Sequence, residues 1–332
     1  MLGRFDGALL GFRPRQRWRF DIVGGYPVEL SSTATMPERQ RRFAGINLDM
    51  GTYAKYWDFN VYVIRQLVDS IVDRFAVGGE VRYSAREQTY LTLIDYDIDY
   101  NTLNSFLMVG NWFLPSGTTL NAVYDYRRAP VLTTTNALIG QAEPSISELL
   151  LRLTEPEVRQ LAQDRTAVVR TVTLGAAHPL NSKLQINGDV VILNQGGTVA
   201  SGGVAEVVSF GTEYAYSANL IGSDLMKEGD IVILGLRYAN GEVTDTSSLN
   251  FNLRYPLTRA WRANPALGID YRANETFPDQ LSVRPSIRID YRWLTAITFD
   301  AETGILWTTD VGNNSIGADK DFFFELGYRI DF

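Results

Sequence analysis

Polar and apolar residues alternate one by one along most of this chain. From Leu281 to Trp293 the odd positions are Leu281, Val283, Pro285, Ile287, Ile289, Tyr291 and Trp293. The even positions are Ser282, Arg284, Ser286, Arg288, Asp290 and Arg292. A strand places successive side chains on opposite faces, and a helix cannot sort them this way. Trp261, Ala263, Leu267, Ile269 and Tyr271 oppose Arg262, Asn264, Asp270 and Arg272 in the same manner. Leu249, Phe251, Leu253 and Tyr255 oppose Asn250, Asn252 and Arg254, and Phe322, Phe324, Leu326, Tyr328, Ile330 and Phe332 oppose Glu325, Gly327, Arg329 and Asp331. The first half of the chain repeats the pattern. Phe20 and Ile22 oppose Arg19 and Asp21, Ile46 and Leu48 oppose Asn47 and Asp49, Val61 and Val63 oppose Asn60, and Leu120, Ala122, Tyr124 and Tyr126 oppose Asn121, Asp125 and Arg127. Tyr90, Ile94, Tyr96, Ile98 and Tyr100 oppose Asp95, Asp97 and Asp99.

These runs predict an all-β, antiparallel, up-and-down transmembrane barrel of about sixteen strands. Residues 1–16 read as a lead-in or a segment inside the lumen, and residues 17–332 as the barrel. Short connections such as 51–54, 114–117, 256–259 and 292–294 alternate with long ones at 27–39, 129–165, 195–205 and 311–319. In outer-membrane barrels the short turns are periplasmic and the long loops extracellular, so an even strand count places both ends in the periplasm. Phe5–Phe12 is left over and, counted as a strand, would make the number odd. Aromatic residues near strand ends (Tyr255, Trp261, Tyr271, Tyr291 and Trp293) fit girdles at the membrane interfaces. A soluble β-sandwich also alternates, but rarely places Arg or Asp at every second position over so many strands.

The 129–165 connection predicts a helical insertion. Ser145-Ile146-Ser147-Glu148 has capping-box form, and apolar positions at Leu149, Leu150, Leu151, Leu153, Val158 and Leu161 follow around Pro156. Folded inward, this segment would narrow a pore; over the rim it would form a cap. Loops this long are usually functional or disordered.

Composition sharpens the membrane reading. Aromatic residues are 12% of the chain, with Tyr 17, Phe 16 and Trp 6, yet the mean hydropathy is only -0.10. Alternation hides a barrel's lipid-facing surface in this way. No apolar run is long enough for a membrane helix. The net charge of -7 gives no reason to expect nucleic-acid binding. Absence of cysteine excludes disulfides and thiolate metal sites. Met1-Leu2-Gly3-Arg4-Phe5-Asp6 lacks the features of a secretory signal. An exported protein needs one, so a signal, and a further domain, are expected upstream.

The last residues are Glu325-Leu326-Gly327-Tyr328-Arg329-Ile330-Asp331-Phe332. They resemble the C-terminal signal of bacterial outer-membrane barrels: a polar residue, a spacer, glycine, two spacers, a hydrophobic residue, a spacer and a terminal aromatic. Glu325, Gly327, Ile330 and Phe332 fill those places. The resemblance implies recognition by the barrel-assembly machinery and residence in outer-membrane lipid. A looser resemblance rests on Gly11-Phe12-Arg13-Pro14-Arg15-Gln16-Arg17-Trp18-Arg19-Phe20 and Asn136-Ala137-Leu138-Ile139-Gly140-Gln141. These stretches resemble barrel halves of proteobacterial proteins whose periplasmic halves are tetratricopeptide repeats. That architecture implies a periplasmic partner or upstream repeat domain, and its better-understood members export polysaccharide. No export-specific residue carries over.

The expected lumen lining is Glu80, Asp95, Asp97, Asp99 and Asp125, with Arg82 and Arg127, on one wall. Arg254, Arg262, Arg272, Arg284, Arg288, Arg292 and Arg329 make a basic-leaning wall with Asp270, Asp290, Glu325 and Asp331. In a sixteen-strand ring these walls would face each other and leave room for an aqueous channel. The charges could equally pair across neighbouring strands as a network. Asp95, Asp97 and Asp99 could attract a hard cation, but residues two apart on a strand lie about 7 Å apart, so a solvated acidic stripe is the simpler reading. The one histidine, His178, precedes Pro179 in an expected turn and reads as a turn residue. No catalytic residue, metal site, cofactor or phosphate loop is expected. The reading is a pore or export conduit for a polar solute; the alternative is a non-conducting barrel that anchors periplasmic repeats or displays loops.

Overall fold

The structure, a computed structural model, describes residues 5–28, 40–293, 296–311 and 318–330. Its strands are β1 (Phe5–Phe12), β2 (Arg19–Pro27), β3 (Arg41–Tyr53), β4 (Trp57–Val68), β5 (Ile71–Ser84) and β6 (Gln88–Asp97). There follow β7 (Thr102–Phe113), β8 (Thr119–Ala129), β9 (Ala167–Pro179), β10 (Leu184–Gln195), β11 (Gly211–Ser223) and β12 (Ile231–Asn240). The last are β13 (Thr244–Pro256), β14 (Trp261–Asn274), β15 (Asp279–Trp293), β16 (Ile297–Val311) and β17 (Ala318–Ile330). They belong to one antiparallel up-and-down sheet of seventeen strands. The chain divides into two compact units. One comprises residues 1–112, 121–172 and 193–211; the other comprises 113–120, 173–192 and 212–332.

The strand count corrects the expected sixteen. Phe5–Phe12 is a strand and not a lead-in, paired with β2 from Phe5↔Pro27 to Phe12↔Phe20. Gly7 and Gly25 are opposite each other in this pair, and a Cβ on Gly7 would fall 2.1 Å from the Gly24 carbonyl oxygen. The parity argument missed the strand because it assumed an even number. The strand expected at 206–219 also moves, to Gly211–Ser223. The Gly196–Phe210 connection holds its own bridges, Thr198↔Val207 and Ser201↔Val204. The expected loops at 27–39 and 311–319 lie largely outside the described residues.

In the first unit β1 to β7 pair in sequence order, and register fixes two faces. One row runs Phe20↔Leu48↔Val61↔Gly79↔Ile94↔Phe106, and the next Ile22↔Ile46↔Val63↔Val77↔Tyr96. Ile22, Ile46, Val61, Val63, Val77 and Ile94 are exposed on this face. The intervening row on the other face is Asp21↔Asn47↔Tyr62↔Gly78↔Asp95↔Ser105. In the second unit β11 to β17 give the same division. Leu220↔Leu234↔Phe251↔Leu267↔Pro285 form one row, and Asn219↔Gly235↔Asn250↔Gly268↔Arg284 lie on the opposite face.

The 130–166 connection belongs to the first unit. It contains a 3-10 turn at Thr134–Leu138, helix α1 (Ile146–Leu149) and helix α2 (Glu155–Asp164). Leu132, Ala137, Ile146, Leu149, Val158, Leu161 and Ala162 form a buried cluster that also takes in Val68 and Tyr100. This small core sits on the hairpin ends of β4–β5 and β6–β7. Pro156 occupies the first turn of α2, where its missing N–H costs nothing, so it starts the helix and does not kink it.

The cap of α2 is a capping box between Thr154 and Glu157. The Glu157 carboxylate accepts from the Thr154 backbone N–H and from its hydroxyl, each at 2.7 Å. The backbone bond first, then the hydroxyl, holds the Glu157 carboxyl below its usual range. Its support is therefore full above the ordinary carboxylate range and is lost as pH falls through the depressed value. Glu157→Gln should remove this pH dependence from amide protection in α2, as read by hydrogen exchange across acidic pH. Equal pH dependence in both proteins would show that the box does not hold the helix.

Candidate functional site

Two of the β-bulges in the first unit shape its polar face. Asp73 is the extra residue between the pairs Gln66↔Arg74 and Leu67↔Val72. Asn104 is the extra residue between Asp95↔Ser105 and Tyr96↔Leu103. A bulge re-aims a side chain out of strict alternation, and both of these side chains are buried. Asp73 Oδ1 accepts from the Thr135 N–H at 2.8 Å and from its hydroxyl at 2.7 Å. Asn104 Oδ1 accepts from the Leu132 N–H at 3.2 Å. Thr134 adds a hydroxyl bond to the Val72 carbonyl at 2.8 Å. Two bulges thus tether the start of the helical segment to the strands.

The turns complete the attachment. Asp69 Oδ2 accepts from the Ser147 N–H at 2.9 Å. Asp99 pairs with Arg159 of α2, whose guanidinium also stacks over Tyr100, 5.0 Å from the ring centre. Burial pushes the Tyr100 phenol up to about 12, so it stays neutral and shares a 2.8 Å hydrogen bond with Thr134. Sequence alternation had put Asp97, Asp99 and Tyr100 on one continuous strand. The structure ends β6 at Asp97, whose carboxylate accepts the Tyr100 N–H at 2.9 Å and so caps a turn. Asp99 and Tyr100 hold the helical segment and do not line the strands.

Asp95 stays on the polar face, at the centre of a cluster. Its Oδ2 accepts from the Tyr62 hydroxyl and from the Arg74 guanidinium. The Tyr62 ring crosses Gly78, where an added Cβ would meet the ring at 2.4 Å. The cluster borders a cavity of about 910 Å³ that also takes in Asn60, Glu80, Arg82 and Asn104. Tyr62, Arg74 and Asn104 escaped sequence reasoning. Tyr62 follows the parity of Asp58 and Asn60 and could have been found by that; Asn104 sits at a bulge that parity cannot see.

Several charges of this face, six of the expected lining residues among them, pair along a strand at i and i+2. Such pairs are Arg19–Asp21 at 2.8 Å, Glu80–Arg82, Arg127–Asp125 at 3.6 Å and Arg288–Asp290 at 3.0 Å. The Arg74–Asp95 and Arg41–Asp73 pairs bridge different strands.

In the second unit the expected basic wall separates along the strand direction. Toward the short turns, Arg254, Arg262, Arg288, Arg292 and Arg329 surround a cavity of about 280 Å³. Toward the other end, Arg272 and Arg284 join Asp270, Asp310, Asp319 and Asp321 around one of about 660 Å³. Glu325 and Gly327 lie on β17, and Gly327 leaves room for the Asp300 carboxylate, which an added Cβ would approach to 2.8 Å. Ile330 ends β17 and is exposed. Phe332 lies outside the described residues.

His178 is at the end of β9 and not in a turn. Its Nδ1 is 2.8 Å from the Thr118 hydroxyl. Neighbouring Asn181 uses its side-chain oxygen to accept the Lys183 and Leu184 N–H groups. Among the described residues no group of three His, Cys, Asp or Glu side chains could hold a metal ion.

Rings form belts near the short turns. Trp57, Tyr83, Tyr90 and Trp112 make a chain with ring centres 4.7, 5.7 and 5.6 Å apart. Trp112 donates to the Tyr90 hydroxyl at 2.8 Å, and Trp18 to that of Tyr53 at 2.9 Å. In the second unit Trp261 and Tyr291 pair at 4.5 Å. Central rows of exposed Ile, Val, Leu and Phe without a charge, bounded at the short-turn end by Trp and Tyr, match hydrocarbon beside a membrane interface. It is a protein of the bacterial outer membrane.

No known protein-family model matches the sequence, and no curated protein matches it. Similar solved structures are outer-membrane proteins. A bacterial polysaccharide outer membrane secretin is 8% identical, with 95% of this chain and 98% of that chain covered and a TM-score of 0.39. Outer-membrane-expressed OmpT of Vibrio cholerae is 11% identical, with 96% and 99% covered and a TM-score of 0.44. The siderophore receptor PirA of Acinetobacter baumannii is 10% identical, with 89% of this chain and 56% of that chain covered and a TM-score of 0.43.

Proposed function

We propose that this outer-membrane chain forms a conduit for polar solutes, working with a periplasmic domain upstream and placed in the membrane by the barrel-assembly machinery. One observation carries the reading. In each unit an open cavity lies against charged side chains of the face opposite the apolar rows: Asp270, Arg272, Arg284, Asp310, Asp319 and Asp321 in the second unit, and Asp49, Asp58, Arg74, Glu80, Arg82 and Asp95, among apolar residues, in the first. Such a face suits water and hydrated solutes, because an isolated charge there needs water or a partner. The helical segment supports the same reading by its position: it is anchored at hairpin ends, leaving the strand centres of its unit uncovered. Export of polysaccharide is the substrate reading that follows from the resemblance to barrels bearing tetratricopeptide repeats.

Single-channel recording in planar bilayers tests this. The intact chain should conduct ions steadily, and deletion of 131–166 should raise the conductance by opening the entrance. Absence of conductance in both forms would overturn the conduit. The rival is a non-conducting anchor, favoured by the charges that already pair with each other at i and i+2 along the strands.

A further inference from the structure

We infer that the arginine-lined cavity near the short turns of the second unit is a binding site for a soluble anion bearing phosphate, sulfate or carboxylate groups. The inference concerns binding and stands whether or not the chain conducts ions. Six guanidinium groups line this cavity, those of Arg254, Arg262, Arg288, Arg292 and Arg329 with Arg259 from the adjoining turn. Among the described residues the lining carries two carboxylates, Asp290 and Asp300, and Arg329 has a partner of its own, so the other five guanidiniums outnumber the carboxylates by three on a chain whose net charge is -7.

Register limits how far the excess is relieved. Arg292 on β15 faces Thr298 of β16 and not a carboxylate. The next row, Arg262↔Asp290↔Asp300, supplies both carboxylates. Asp290 is already engaged, by Arg288 at 3.0 Å and by the Asn264 amide at 2.8 Å. The Arg262 Nε is buried without a hydrogen-bond partner. Like charges held together on a sheet face repel, and a buried donor left unpaired is costly. A bound anion removes both penalties, and guanidinium forks match the planar oxygens of carboxylate and the oxygens of phosphate or sulfate.

The other end of the same face repeats none of this. Its cavity carries Asp270, Asp310, Asp319 and Asp321 against Arg272 and Arg284. An anion is thus drawn to the short-turn end and repelled from the opposite one. The arginines alternate with Trp261, Ala263, Ile289 and Tyr291 of the lipid-facing side. They therefore point away from lipid, which favours a soluble anion over a phospholipid headgroup.

Isothermal titration of the folded chain with inorganic pyrophosphate tests the site. Arg262→Gln and Arg292→Gln should each weaken binding about tenfold, the fold-change for one charge-assisted hydrogen bond. Arg272→Gln, on the same strand as Arg262 but in the acidic cavity, should bind like the parent. The far-ultraviolet circular dichroism of each variant verifies folding, and Arg292→Gln, nearer the turn, serves if Arg262→Gln fails to fold. Equal weakening by all three variants, or by none, would overturn the site. Repetition in nanodiscs of anionic and of zwitterionic phospholipid separates the sources. Equal affinity in both supports a soluble ligand, whereas loss only in anionic bilayers would assign the cavity to a headgroup and overturn the inference.

Discussion

Asp95→Ala is expected to destabilise the folded chain by about 3 kcal/mol, the lower end of the cost of stripping one partner from a buried ion pair. Register places Asp95 beside Gly78, and Gly78 beside Tyr62. The missing side chain at Gly78 lets the Tyr62 ring cross to the Asp95 carboxylate, which the Arg74 guanidinium reaches from β5. The Asp95 side chain is 9% exposed and that of Arg74 is 20% exposed. Removing the carboxylate leaves the guanidinium largely desolvated without its counter-charge, while its partial exposure keeps the loss near the lower end. Tyr62→Phe, which removes one neutral donor to the carboxylate and leaves the ion pair in place, should cost less, about 1.5 kcal/mol. Urea unfolding in lipid vesicles measures all of these. The deciding variant is Arg74→Met with Asp95→Ala together, which should be more stable than Asp95→Ala alone because no charge is left behind. If Asp95→Ala unfolds at the parental urea concentration, the cluster does not hold this part of the sheet.

The faces of this protein were legible because a period of two is a strong constraint. Phe20, Ile22, Ile46, Val61 and Ile94 lie where alternation put them, and Asp21, Asn60, Glu80 and Asp95 lie opposite. What alternation could not supply was every place where the period breaks. Asp73 and Asn104 are bulge residues, so counting by twos loses their direction, and these are the residues that grip the helical segment. Asp99 and Tyr100 keep the period through a turn that has already left the sheet. Phe5–Phe12 was set aside by an argument about parity of strand number, a rule about architecture and not about this segment's own chemistry. The inner charges were found by alternation, but their grouping was not. Grouping depends on which residues share a row, and across β14 to β17 arginines predominate in the cavity at one end and aspartates in the cavity at the other.

Asp73→Ala should release the helical segment without unfolding the strands. The carboxylate at the β5 bulge is fully buried and accepts from the Thr135 N–H, the Thr135 hydroxyl and the Gln66 amide, with Arg41 3.7 Å away. Hydrogen bonds to a charged group contribute roughly 1.5–3 kcal/mol each, so losing the two to Thr135 should lower the free energy of local opening by at least about 2 kcal/mol. Amide exchange across 131–166 should then accelerate more than about tenfold, with the rows of β2 to β4 unchanged. Asn104→Ala removes one neutral acceptor, for the Leu132 N–H, and should give a smaller acceleration confined to the start of the segment. The same Asp73→Ala protein separates anchoring from gating. If the segment covers the entrance of a conduit, its release should raise conductance in step with the exchange rate. Faster exchange with unchanged conductance would make the segment a surface module that the bulges display. Unchanged exchange would mean that the apolar cluster of Leu132, Ile146, Leu149 and Leu161 on Val68 and Tyr100 holds the segment without help from the bulges.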